Sequence, residues 1–186
     1  MPTLSGASWV SQFPTSAKLD DLKAPFQEAA QKFLAALTKA GAHVTISATY
    51  RPPERAYLMH YSFLIAKKTQ DPTKVPAMAG VDIDWVHLDG QGETDLPATL
   101  AAASAMVQGY ETVFLPVLTS RHTQGLAIDM DITWTGPLTI EKADGTSVTI
   151  QSTPRSNANT ELQAVAATYT VHKLATDPPH WSSDGH

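Results

Sequence analysis

The chain has 186 residues, 42% hydrophobic and 17% charged, enough to bury a core as one folded domain and unlike a disordered or fibrous sequence. Its formal net charge of -5, with no basic stripe, argues against nucleic-acid binding, because phosphate recognition needs a basic surface. Cysteine is absent, which excludes disulfides, thiolate metal sites and cysteine nucleophiles and leaves His, Asp and Glu as the metal ligands available.

Residues 1–17 are small, polar and punctuated by proline, and read as an irregular arm anchored by Trp9, Val10 and Phe13. From about Lys18 to Ala40, Leu19, Leu22, Phe26, Ala29, Ala30, Phe33, Leu34 and Leu37 fall at helical spacing, which predicts an amphipathic helix stopped by Gly41. Pro25 inside this run delays its start or kinks it. A strand over 43–49 then delivers Tyr50 and Arg51 to its C-terminal end, and Pro52 and Pro53 open a second helix with the stripe Tyr57, Leu58, Tyr61, Leu64 and Ile65. Turn signals crowd residues 69–95, which read as an insertion able to wall or cover a cleft, with a candidate strand over 80–87. The alanine-rich run from Leu96 to Gly109 predicts a third helix.

The stretch from Ser120 to Gly125 reads as a tight polar turn entering a strand, where Gly125 permits a positive φ or a close backbone approach. Leu126, Ile128, Met130 and Ile132 alternate with Ala127, Asp129, Asp131 and Thr133, so one face is apolar and the other carries two acids. His122 on the turn and Asp129 on the strand can enter one pocket with nitrogen and oxygen ligands of the kind zinc accepts. Asp131 is the rival of Asp129, since positions two apart on a strand share a face. Downstream, residues 138–140 and 148–150 flank Ala143-Asp144-Gly145-Thr146 as a hairpin, Asn157 or Asn159 caps a helix reaching Tyr169, and residues 171–174 form a last short strand. Asp177-Pro178-Pro179-His180-Trp181 then offers the missing third ligand, His180, with an acid three residues ahead of it. Asp82, Asp84 and His87 form a poorer alternative cluster, because on a strand the histidine faces away from the acids. The predicted class is α+β, with helices packed on a small, mostly antiparallel sheet.

Ser120, His122, Gly125, Ala127 and Asp129, with the late pair Asp177 and His180, resemble the motifs of the zinc D-alanyl-D-alanine carboxypeptidase and L-alanyl-D-glutamate endopeptidase family. The stretch Thr45-Ile46-Ser47-Ala48-Thr49-Tyr50-Arg51 resembles that family's strand ending in Tyr-Arg. The resemblance spans roughly residues 42–182 and implies the Hedgehog/DD-peptidase fold, a single zinc peptidase domain over 18–186, and hydrolysis of peptidoglycan stem peptides. It implies Zn2+ on His122, Asp129 and His180, Arg51 facing the substrate, and Asp177 as the general base. Many members carry glutamate where this chain has Asp177; aspartate there points to the phage-endolysin branch that cuts L-alanyl-D-glutamate bonds. A D-alanyl-D-alanine carboxypeptidase and a non-catalytic, zinc-stabilised wall-binding module are the alternatives. Asp131 is a candidate acceptor that orients a ligand imidazole, Ser120 a candidate hydrogen-bonding group near the metal, and Trp181 a packing residue behind His180 or a substrate contact. Each has a plainer account as a solvated acid, turn chemistry and core filling. The sequence has no signal-peptide pattern and no run approaching the ~20 apolar residues of a membrane span. The expectation is a monomer made in the cytoplasm that reaches the cell wall by release or delivery.

Overall fold

A computed structural model describes residues 2–186. In chain order its elements are β1 (Thr3–Leu4), α1 (Phe26–Ala40), β2 (His43–Ala48), α2 (Pro53–Ala66), β3 (Ile83–Asp84), α3 (Leu96–Gly109), α4 (Arg121–Gln124), β4 (Ala127–Thr133), β5 (Leu138–Glu141), β6 (Ser147–Ile150), α5 (Thr160–Thr168), β7 (His172–Lys173) and β8 (His180–Ser182). This is a mixed α+β architecture with a small antiparallel sheet. No described helix is long and apolar enough to cross a membrane. The chain divides into two compact units, one made of the chain up to Pro14 with Pro52–Thr119, the other of Thr15–Arg51 with Ser120–His186.

In the first unit, α2 and α3 pack on each other around Trp9, Tyr57, Leu58, Ile65, Trp85, Met106 and Tyr110. The arm expected to be irregular contributes β1, which pairs in parallel with β3 through Thr3↔Ile83 and Leu4↔Asp84. A two-residue strand is too short to show a period, so its pairing has no signature in the sequence. The unit also takes in α2 and α3, and is wider than the insertion expected over 69–95.

The second unit is built on a four-stranded antiparallel sheet in the order β2-β4-β8-β7. Ile128, Met130 and Ile132 on β4 are buried with Phe33 and Leu37 of α1 and Trp181 of β8, so the apolar alternation of β4 is the core face. α1 begins at Phe26 with Pro25 at its N-cap, later than the apolar spacing suggests, because the residues ahead of the proline turn as a short 3-10 segment, Leu19–Asp21. Gly41 ends it in the left-handed conformation. The hairpin β5–β6 forms as expected, and Asn159 caps α5. β8 lies outside the predicted elements: a three-residue strand after two prolines carries too little pattern to read. It is central to the site, because it lies directly beside β4.

Candidate metal centre

The register of the sheet assembles the site. His180 pairs directly across from Asp129, and residues opposite each other on adjacent strands present their side chains to the same face. On the other edge of β4, the pairing of β2 shifts between Ile46↔Met130 and Ala48↔Asp129, so β2 carries one extra residue there. Such a bulge bends the strand locally, and the segment after it, Thr49 to Arg51, bonds to the histidine turn. The Arg51 N–H donates to the His122 carbonyl at 3.2 Å, and His122 Nδ1 donates back to the Thr49 carbonyl at 2.9 Å.

His122 itself lies on the one-turn α4. Ser120 caps that turn reciprocally with Thr123, and Gly125 closes it at φ +71°. A side chain at Gly125 would also crowd the chain: an added Cβ would stand 3.0 Å from Lys23 Cγ and 3.3 Å from the Lys23 nitrogen. The glycine therefore meets both needs read from the sequence, a positive φ and a close approach.

His122 Nε2, His180 Nδ1 and Asp129 Oδ1 form a triangle with every edge 3.1 Å. Both rings are nearly buried, at 4% and 6% exposure. The outer nitrogen of each faces a backbone carbonyl, Thr49 for His122 and His186 for His180 at 3.2 Å. A carbonyl can only accept, so these outer nitrogens carry the hydrogens and the two inner nitrogens of the neutral rings present lone pairs. Two lone pairs and a carboxylate oxygen at this spacing repel one another unless a cation lies among them. Three donors set tetrahedrally about 2.0–2.1 Å from one ion would stand about 3.3–3.4 Å apart, close to the observed edges. The group can therefore hold a metal ion, and among the described residues it is the group of His, Asp or Glu whose donor atoms converge in this way.

Electrostatics agree with that reading. Burial pushes the Asp129 carboxyl upward, but hydrogen bonds and charge from His122 and His180 hold it well below the usual carboxylate range. Burial pulls His180 downward, and Asp129, together with the His186 carbonyl and the charge of Asp177, more than offsets this, leaving the imidazole above its ordinary value. In the metal-free protein these shifts let a proton take the place of the cation.

The remaining sequence candidates fall around the triangle. Asp177 is exposed in the turn before His180, whose N–H donates to the Asp177 carbonyl at 3.1 Å. Arg51 follows the strand whose end bonds to the His122 turn. Trp181 is fully buried, 6.0 Å from the Phe33 ring centroid, and its indole N–H meets no acceptor. Its place is in the core behind His180. Ser120 caps the turn that carries His122. Asp131 is exposed and accepts from Asn157 at 3.3 Å; the carbonyls of Thr49 and His186, and not this acid, receive the imidazole hydrogens. Asp82, Asp84 and His87 do not assemble: Asp84 accepts from the Val86 N–H at 3.0 Å, and His87 lies against Ser5 at 3.1 Å.

Asn157 is the site residue that the sequence reading missed. Buried, it accepts from the Ile132 N–H at 3.0 Å and donates to the carbonyls of Met130 at 2.9 Å and Pro178 at 3.1 Å, tying β4 to the turn ahead of His180. Its only signal was being the first of two asparagines that could cap α5. No family model matches the chain, and a search of curated proteins finds no match to it either.

Proposed function

We propose that this chain is a zinc peptidase of the Hedgehog/DD-peptidase type that hydrolyses an amide bond in peptidoglycan stem peptides, acting on the wall after release or delivery. The observation that carries this reading is the donor triangle, two imidazole nitrogens and one carboxylate oxygen each 3.1 Å apart. Two histidines and a carboxylate are a donor set of catalytic zinc sites, which leave a fourth position open. Zinc held there supplies a Lewis acid that polarises the scissile carbonyl and lowers the pKa of water to about 7. Asp177 takes the proton of the attacking water and hands it to the leaving amine. Arg51 offers a planar, permanently charged group to a substrate carboxylate or to the oxyanion that develops during attack. Aspartate at 177 favours the L-alanyl-D-glutamate endopeptidase over the D-alanyl-D-alanine carboxypeptidase, following the resemblance to phage endolysins.

The test is digestion of purified peptidoglycan by zinc-loaded and by chelated protein, with products identified by mass. Zinc-dependent cuts after L-alanine are expected. Release of terminal D-alanine alone would assign the carboxypeptidase, and bound zinc without product would leave a wall-binding module. Asp177→Ala is expected to keep its zinc and to lose turnover by roughly a hundred- to ten-thousand-fold; full activity in that variant would overturn the assigned role.

A further inference from the structure

The turn that carries Asp177 and ends at His180 contains two consecutive prolines, Pro178 and Pro179. Neither supplies an N–H, and the turn's own N–H groups give one bond each to three of its carbonyls, Asp177 to Leu174 at 3.3 Å, His180 to Asp177 at 3.1 Å and Leu174 to His180 at 3.1 Å, which leaves each of those oxygens a second lone pair. Neighbours take the outer ones: the Met130 N–H donates to Pro179 at 2.9 Å and Asn157 to Pro178 at 3.1 Å. The inner ones converge on a single cation. The Lys173 ammonium donates to the carbonyls of Leu174, Asp177 and His180, the last at 3.1 Å. Lys173 pairs with Trp181 across β7 and β8, and its ammonium lies 5.7 Å from the centroid of that buried ring. An ammonium has three hydrogens, and here three carbonyls receive them.

We propose that Lys173 is a positioning residue: its ammonium gathers the carbonyls on both sides of the double proline and so fixes His180 for the metal and Asp177 for the substrate. The part that concerns His180 stands on the donor triangle alone. The part that concerns Asp177 rests on the peptidase reading. Without the ammonium, each of the three carbonyls keeps only its one backbone N–H donor, their dipoles converge with no charge among them, and the turn relaxes by moving the two side chains it presents.

Lys173→Met in the full chain keeps an unbranched stem against Trp181 and removes the donors. Its dissociation constant for zinc, measured by competition with a chromophoric chelator, is expected to rise about ten- to a hundredfold, the range seen when groups that orient metal ligands are removed, while the circular dichroism spectrum stays that of the wild type. At saturating zinc, kcat on stem peptides is expected to fall tenfold or more with KM unchanged, because Lys173 does not touch the substrate. Wild-type zinc affinity in folded Lys173→Met overturns the proposal for His180, and an unchanged kcat overturns it for Asp177. Should that variant not fold, Lys173→Arg decides, because it keeps the charge but spreads its donors over a planar fork. Zinc affinity weakened threefold or more supports the clamp, and wild-type affinity overturns it. A wild-type protein that binds zinc yet cuts no stem peptide would defeat the peptidase reading separately, and the zinc measurement would still judge the clamp.

Discussion

Asp129 faces two ring nitrogens whose partners on the far side are fixed, so a metal held by the triangle would compete with protons for those nitrogens. Metal binding needs both imidazoles neutral, and His180 is raised above its ordinary value. Zinc affinity is therefore expected to fall as pH drops through that raised value, as a pH series of chelator competitions would show. Without metal the dependence reverses. A raised His180 contributes stability that is present below its unfolded pKa of about 6.5 and lost as pH rises through the folded value. A depressed Asp129 contributes stability present above its unfolded pKa of about 3.9 and lost as pH falls through its depressed value. The chelated protein should therefore draw most from this pair between about pH 4 and 6.5. Urea midpoints at pH 5.5 and 8 measure it, and Asp129→Asn should flatten the contribution while weakening zinc binding.

At the scale of elements, the site depends on how α4 enters β4. Gly125 turns the chain at φ +71° with the Lys23 backbone close by, and its carbonyl accepts the Lys23 N–H at 2.9 Å. A side chain there meets both a strained backbone and an obstructed space, and the strain alone costs on the order of 1 kcal/mol or more. Gly125→Ala is expected to lower the melting temperature of the metal-free protein and to weaken zinc binding, because a tilt of α4 displaces His122 from the triangle. Wild-type zinc affinity in this variant would show that β4 alone places the histidine. The bulge in β2 and the pairing of β8 act from the two edges of β4, the first by bringing the Thr49 carbonyl to the His122 ring and the second by setting His180 opposite Asp129.

At the scale of the molecule, all three candidate donor residues belong to the unit made of Thr15–Arg51 and Ser120–His186. A metal that binds only the folded state stabilises it by about 4 kcal/mol at a thousand times its dissociation constant. Zinc is therefore expected to slow hydrogen exchange at the amides of Ile128, Met130 and Trp181, and a chelator to restore the faster rate. Much of this arrangement was legible beforehand. The helical spacing of Phe26, Phe33 and Leu37, the alternation along β4, the turn glycine and the asparagine cap are local patterns, set by side-chain direction and backbone sterics within a few residues. So are the residue types His122, Asp129 and His180, which made a metal set thinkable. What the tertiary structure decided is non-local: the strand that His180 belongs to, its register against Asp129, the carbonyls of Thr49 and His186 that turn the lone pairs inward, and the places of Asn157 and Lys173 beneath the double proline. Backbone acceptors and short strand pairings are common to every residue type, so the sequence carries no mark of them until the chain has folded.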